Sequence, residues 1–311
     1  MKVMITGASG YFGNLLAERL RADARTAATV VGVDVREKVV RGDEKDVKFI
    51  HGDTRKKRIE DVFKIEGKID AVVHLARETD PALTSDHLMI TNVYGTFHML
   101  ELARKYGVRK FVFPSSSIVY GAREDNPAMI RENHPLLGNR DIPAIRDRVE
   151  ADLICQTFAH SAEDFNIVIL RFAPIWRRAG AGILSDYMSG DTVPTLLGFD
   201  PMFQIIFEEE VIEAFILALA NARAAGAYNV PGSVFMPLSE VVRRMGKKTL
   251  PLPEFLVHYK YRFFWSKNLK FDFNYIKYPF TVDGSRAREE LGYRPEEIGR
   301  ERQSAPAQQR L

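Results

Sequence analysis

The sequence predicts an α/β fold, a doubly wound parallel sheet with a smaller C-terminal lobe. Three observations predict it: short β-branched runs alternate with helical stretches, those runs are apolar throughout, and the rhythm breaks after Phe172. Strands separated by helices of ten or so residues imply βαβ units and parallel pairing. Runs such as Ala71-Val72-Val73 and Phe111-Val112-Phe113 do not alternate, as expected of strands covered on both faces.

In chain order, strands are predicted at Lys2–Thr6, Thr29–Asp34, Val47–Ile50, Asp70–Ala76, Lys110–Ser115 and Asn166–Phe172. Helices are predicted near Tyr11–Ala22, Arg55–Ile65, Asp86–Tyr106 and Ala144–Asp164. After Phe172, Pro174, Gly180, Gly182, Gly190, Pro194, Gly198 and Pro201 punctuate a loop-rich region, followed by helices near Glu208–Ala222 and Leu238–Met245. The organisation expected is a sheet domain over 1–173, a discontinuous lobe over 174–299 and a polar, disordered tail over 300–311.

Composition narrows the function classes. The chain has 311 residues, 46% hydrophobic and 27% charged, with a net charge of +3; this suits a soluble globular protein and gives no field that would draw it to nucleic acid. Its one cysteine, Cys155, excludes an internal disulfide framework and Cys-rich metal sites, so no metal is expected. No signal peptide is read at the N-terminus, and Val211–Ala220, interrupted by Glu213, is far too short for a membrane span. The expected location is the cytoplasm.

The segment Thr6-Gly7-Ala8-Ser9-Gly10-Tyr11-Phe12-Gly13 joins the first strand to the first helix. Its spacing is G-x-x-G-x-x-G. Gly7 permits the tight turn, Gly10 lets backbone approach a pyrophosphate, and Gly13 lets helix pack on strand. The helix start adds unpaired N–H groups and partial positive charge. Asp34 closes the second strand about 20 residues later, where a carboxylate accepts from adenosine ribose hydroxyls. That carboxylate repels a 2′-phosphate, so NAD is favoured over NADP, with nearby Arg36 weakening the preference. Together these features read as a Rossmann dinucleotide site.

On this and further motifs the chain resembles an extended short-chain dehydrogenase/reductase of the NAD-dependent epimerase/dehydratase group, over about residues 1–295. The motifs are Thr6–Gly13, Gly52-Asp53, His74-Leu75-Ala76, Asn92–Thr96, Phe113–Gly121, Leu170–Pro174, Tyr228-Asn229-Val230 and Ser285–Tyr293. The resemblance implies that Asp53 and Thr54 flank the adenine and that Leu75, Ala76, Arg77 and Pro174 line the dinucleotide path. It further implies that Asn92 supports the site from behind and that Ser115 lies under the nicotinamide. It also implies a homodimer through the helices near Asp86–Tyr106 and Ala144–Asp164.

The catalytic pattern of that family is a Ser/Thr with a Tyr-x-x-x-Lys, often followed by a glutamate four residues after the lysine. Ser116 takes the serine position. Aligning Glu150 with the glutamate puts Ile142 at the tyrosine and Arg146 at the lysine. Whatever the register, no tyrosine lies between Tyr120 and Tyr187 and no lysine between Lys110 and Lys247, so the pair is missing. Arg146 can still donate to ribose hydroxyls, whereas isoleucine carries no exchangeable proton. Asp141, His134, Asp147 and Tyr187 are candidate substitutes. Tyr106-x-x-x-Lys110 lies upstream of the Ser116 strand and reads as coincidence.

On the substrate side, Trp176 can stack on a base or sugar, and Arg177 and Arg178 can pair with a diphosphate. A core tryptophan and a solvated arginine face fit equally. The resemblance implies a nucleotide sugar or another small polar molecule as the substrate class, with a catalytically inactive NAD-binding sensor or scaffold as the alternative. Tyr259–Phe280 interleaves aromatics with Lys260, Arg262, Lys267, Lys270 and Lys277. Such a segment can form core and rim, seat a nucleotide sugar, or meet a lipid headgroup or membrane surface.

Overall fold

Val3, Met4 and Ile5 have no exposed surface, which requires a strand covered on both faces, and the computed structural model supplies that cover. The structure describes residues 1–36, 47–78, 80, 83–161, 164–177, 187–256 and 272–298. Arg178, residues 257–271 and the expected tail at 300–311 lie outside the described residues.

β1 (Lys2–Thr6) lies inside a seven-stranded sheet with β2 (Thr29–Asp34), β3 (Val47–His51), β4 (Ala71–His74), β5 (Lys110–Ser116), β6 (Asn166–Phe172) and β10 (Gly226–Val230). The order is β10-β6-β5-β4-β1-β2-β3, and every neighbouring pair is parallel. The succession of strands reverses between β1 and β4, which opens a crevice at their carboxyl ends.

Helices cover both faces. α1 (Tyr11–Ala22) and α6 (Glu208–Ala220) pack on one side with Val3, Ile5, Val30, Val73 and Leu170. α2 (Glu60–Glu66), α4 (Gly95–Lys105) and α5 (Pro143–Ser161) pack on the other with Met4, Val31, Val72, Phe111 and Ile169. A third cluster, around Tyr120, Val193, Phe203, Ile205 and Tyr275, forms the lobe. The lobe carries a three-stranded sheet of β7 (Ile175–Trp176), β9 (Met202–Phe207) and β11 (Val234–Pro237), and a pair of β8 (Thr192–Leu196) and β12 (Lys248–Leu252). α7 (Leu238–Arg244) packs beside them.

Several boundaries differ from those read in the sequence. The helix expected from Arg55 starts as a 3-10 turn at Lys57–Ile59, because the Asp53 carboxylate accepts from the backbone and side chain of Arg55 and holds a turn there. The helix expected over Asp86–Tyr106 is α3 (Ser85–Met89), a π turn at Ile90–Tyr94, and α4. Exposed Ile90, Tyr94 and Phe97 line one side of it. β10 escapes sequence reading because Asn229 sits among its apolar residues; that side chain is buried and satisfied by Ile130 O and Tyr120 OH. The central sheet therefore draws its last strand from beyond residue 173. No described helix is long and apolar enough to cross a membrane.

Tyr106 and Lys110 do not face one another. Tyr106 donates to Glu60 on the surface, while Lys110 donates to Ala218 O and Asn221 O at the end of α6.

Candidate functional site

The glycine loop closes tightly at the crevice. Gly7 has φ +73°, and a Cβ there would come within 2.7 Å of the Ala76 nitrogen; only glycine accommodates both. A Cβ on Gly13 would land on the Gly7 carbonyl oxygen. Gly7 N and Ala8 N donate to Val33 O, so the loop is tied to the β2 tip. Gly10, whose N–H donates to Gly7 O, caps α1 with no side-chain hydrogen bond. Ser9 Oγ is buried with no partner. An uncapped helix start, an unpartnered Ser9 hydroxyl and no Cβ in the way fit a diphosphate.

Asp34 stands beside this loop, 5% exposed. Its Oδ2 accepts from Ser9 N at 3.0 Å, and its Oδ1 accepts from Arg36 N at 2.9 Å and Arg36 Nε at 3.3 Å. Tyr11 and Phe12 meet edge to face at the start of α1, and Arg177 reaches over the Tyr11 ring at 5.7 Å. One arginine of the lobe is thereby brought to the glycine loop. Trp176 is half-buried against the lobe core, and Pro174 O accepts from Ile206 N.

The other predicted residues take defined places. Leu75 N donates to Thr6 O, and Ala76 N to Thr6 Oγ1. Asp53 is bound through both carboxylate oxygens by Arg55, whose hydrogen bonds lower its pKa. Buried Thr54 offers its carbonyl to His98. Asn92 exchanges hydrogen bonds with the Glu78 backbone and donates to Asp147, tying the chain after β4 to α5. Ser116 Oγ accepts from Ile118 N at 3.4 Å and remains partly exposed at the strand end. Ser115 is turned the other way: it is buried and donates to Asp152 at 2.6 Å.

α5 divides its side chains between the core and the surface. It buries Ile145, Asp147, Val149, Ala151, Asp152, Cys155 and Phe158, while Arg148 and Glu150 are half-buried and Thr157 is exposed. Ile142 precedes the helix and packs against the lobe core. Arg146 turns to α3, bonding Ser85 and Asp147, and Glu150 pairs with Arg140 on the surface. Asp152 meets Ser115 at the end of β5, and Arg148 and Ala144 precede it by one and two turns on α5. Glu150, which set the sequence alignment, is two residues out of phase with the acid that points inward.

Asp152 is the hub of a buried network missed in the sequence. It accepts from Ser115, Gln156 and both Nε and Nη2 of Arg171. Arg171 is 1% and Asp152 0% exposed. Arg171 Nη1 also donates to Tyr120 OH and Glu132 O. Two of the substitute acids and bases are engaged, Asp147 by Arg146 and Asn92 and Tyr187 with Pro194 O, while exposed Asp141 donates only its backbone N–H to Asn139. His134 is in ring contact with Tyr120.

Thr6 Oγ1 and His74 Nδ1 lie 2.7 Å apart behind the loop, and burial pushes the imidazole down to about 4 from 6.5. Its contribution to stability is thus complete above pH 6.5 and lost as pH falls toward 4, because only the unfolded chain takes up the proton in that window. His74→Gln should remove about 3 kcal/mol of acid sensitivity between those values. Urea titrations at pH 7 and pH 4.5 check this; equal pH dependence in both proteins would refute it.

The described end of the basic aromatic segment belongs to the core. Tyr275 is 5% and Phe280 6% exposed, and Tyr275 OH donates to Ile118 O. Among the described residues no group of His, Cys, Asp and Glu is disposed to hold a metal.

The chain is 28% identical over 307 residues to an uncharacterised protein of Mycobacterium bovis, covering 94% of this chain and 80% of that one. It is 33% identical over 187 residues to UDP-glucose 4-epimerase 4 of Oryza sativa subsp. japonica, covering 55% of this chain and 48% of that one. Its fold resembles a dTDP-glucose 4,6-dehydratase from Bacillus anthracis solved with NAD, with TM-score 0.72, 19% identity and coverage of 95% and 92%. It also resembles a UDP-glucose 4-epimerase from Thermotoga maritima solved with UDP-glucose, with TM-score 0.70, 19% identity and coverage of 95% and 94%. The model of the NAD dependent epimerase/dehydratase family matches residues 3–230. With that match spanning the glycine loop, Asp34, the Ser116 strand and α5, the chain belongs to the NAD dependent epimerase/dehydratase family.

Proposed function

We propose that this protein binds NAD across the carboxyl ends of β1, β2 and β4 and acts on a nucleotide sugar or a similar small polar substrate. The observation that carries the reading is the joint between Asp34 and the glycine loop. One carboxylate both braces the loop through Ser9 N and stands where adenosine hydroxyls reach it. The N–H groups at the start of α1 and the Ser9 hydroxyl would hold the diphosphate, with Arg177 above them. Bound NAD would supply a hydride acceptor near Ser116.

The test is calorimetric titration of NAD⁺ and NADH. Asp34→Ala should weaken binding about tenfold to a hundredfold, the worth of charge-assisted hydrogen bonds to two hydroxyls. Absence of binding heat in the parent protein ends the dinucleotide reading.

A second reading is favoured by one specific feature. No tyrosine lies between Tyr120 and Tyr187 and no lysine between Lys110 and Lys247, so NAD binding without redox turnover, as a sensor or scaffold, also fits this chain. Exposure to UDP- and dTDP-sugars, with chromatographic analysis of the sugar beside absorbance at 340 nm, separates the two: a converted sugar or NADH appears under the first reading and neither under the second.

A further inference from the structure

The fold brings two guanidinium groups together without giving either a carboxylate of its own. Arg77 leaves the end of β4 two residues past the loop contact at Leu75, and its Nη2 donates to Ala144 O at 2.9 Å. Its Nε is buried with no partner. Arg148, half-buried, lies one turn beyond Ala144 on α5, and no hydrogen bond or ion pair holds it among the described residues. The nearby acids are already engaged. Asp147 attracts Arg77 but is bound by Arg146 and Asn92; Asp152 attracts Arg148 but is bound by Arg171, Ser115 and Gln156.

Such an arrangement costs stability. Burial lowers the pKa of Arg77 to about 10, and burial together with the Arg77 charge lowers that of Arg148 well below the ordinary arginine value. Two like charges, both half-buried, repel one another and have fewer acceptors than in open water. An anion between them removes both penalties at once. The planar forks of arginine match the paired oxygens of phosphate or carboxylate.

We propose that Arg77 and Arg148 form an oxyanion receptor at the end of β4, beside Ala144. The oxyanion has two possible sources of one chemistry: the diphosphate of the dinucleotide, or a phosphate or carboxylate carried by the substrate. The receptor rests on the dinucleotide reading only in the choice between these sources.

The experiment uses inorganic phosphate as the probe, titrated by calorimetry into the parent protein, Arg77→Gln and Arg148→Gln, each with and without saturating NAD⁺. Phosphate should bind the parent protein and bind each variant about tenfold or more weakly, as expected for loss of one charge-assisted fork. If the oxyanion comes from the substrate, phosphate still binds the NAD⁺-loaded protein and the NAD⁺ Kd of the variants is unchanged. If it comes from the dinucleotide, NAD⁺ displaces phosphate and its own Kd weakens about tenfold in both variants. Phosphate and NAD⁺ affinities that are the same in all three proteins overturn the receptor. Phosphate binding without NAD⁺ binding leaves the receptor standing and overturns the dinucleotide reading instead. Arg148→Gln should unfold no earlier than the parent on heating, since it relieves repulsion, which guards against mistaking misfolding for lost binding.

Discussion

Arg171→Met should cost about 3–5 kcal/mol of folding stability, the range for removing one partner of a buried ion pair. Arg171 and Asp152 are 1% and 0% exposed, so water does not screen the loss. Burial by itself works against the Arg171 charge, but the Asp152 hydrogen bonds outweigh it and hold its pKa above the ordinary value. Methionine would leave the Asp152 carboxylate with Ser115 and Gln156 as its side-chain donors, while Tyr120 OH and Glu132 O each lose a donor. Denaturant unfolding at pH 7 reads the effect. Arg25, which pairs with Asp23 and Glu213 on the surface, is the control, and Arg25→Met should cost less than about 1 kcal/mol. Equal losses in the two variants would mean that the buried network does not carry the stability assigned to it.

Placing a hydroxyl on α5 should produce the largest kinetic effect. Ala144→Tyr with Arg148→Lys rebuilds a Tyr-x-x-x-Lys on α5, with the lysine one turn before Asp152, and keeps Arg77 on the Ala144 carbonyl. A positioned acid/base is worth about 10²–10⁴ in rate, and NADH formation with UDP-glucose or dTDP-glucose should rise within that range. Ile142→Tyr with Arg146→Lys should gain nothing, because position 142 packs against the lobe and position 146 points at Ser85. The reverse outcome would restore the register drawn from Glu150. Failure of both variants while NAD⁺ still binds would mean that neither side of the helix start delivers a hydroxyl to the nicotinamide.

These two sites show where sequence reading succeeds and where it stops. Gly7, Gly13 and Asp34 were legible because their demands are local: a positive φ, a missing Cβ and a strand tip a fixed distance along one βαβ unit. Ser115 and Ser116 are neighbours in an identical chemical context, yet one faces Asp152 and the other the crevice. The alternation of a strand predicts opposite directions, but which of them points inward depends on α5 and β6 packing against that strand. The same holds for Asp152 and Glu150, two acids two residues apart on one helix, of which only the first meets Arg171.

The sequence by itself determined the parallel α/β plan, the glycine loop with its carboxylate and the lack of a Tyr-Lys pair, since each follows from local spacing or from residue types that are simply not there. Tertiary structure alone decided which side of α5 looks into the crevice, that β10 closes the sheet, and that Arg77 and Arg148 stand together. Helix phase, the pairing of a distant strand and the convergence of two charges are set by packing between segments far apart in the chain, and no local pattern encodes them.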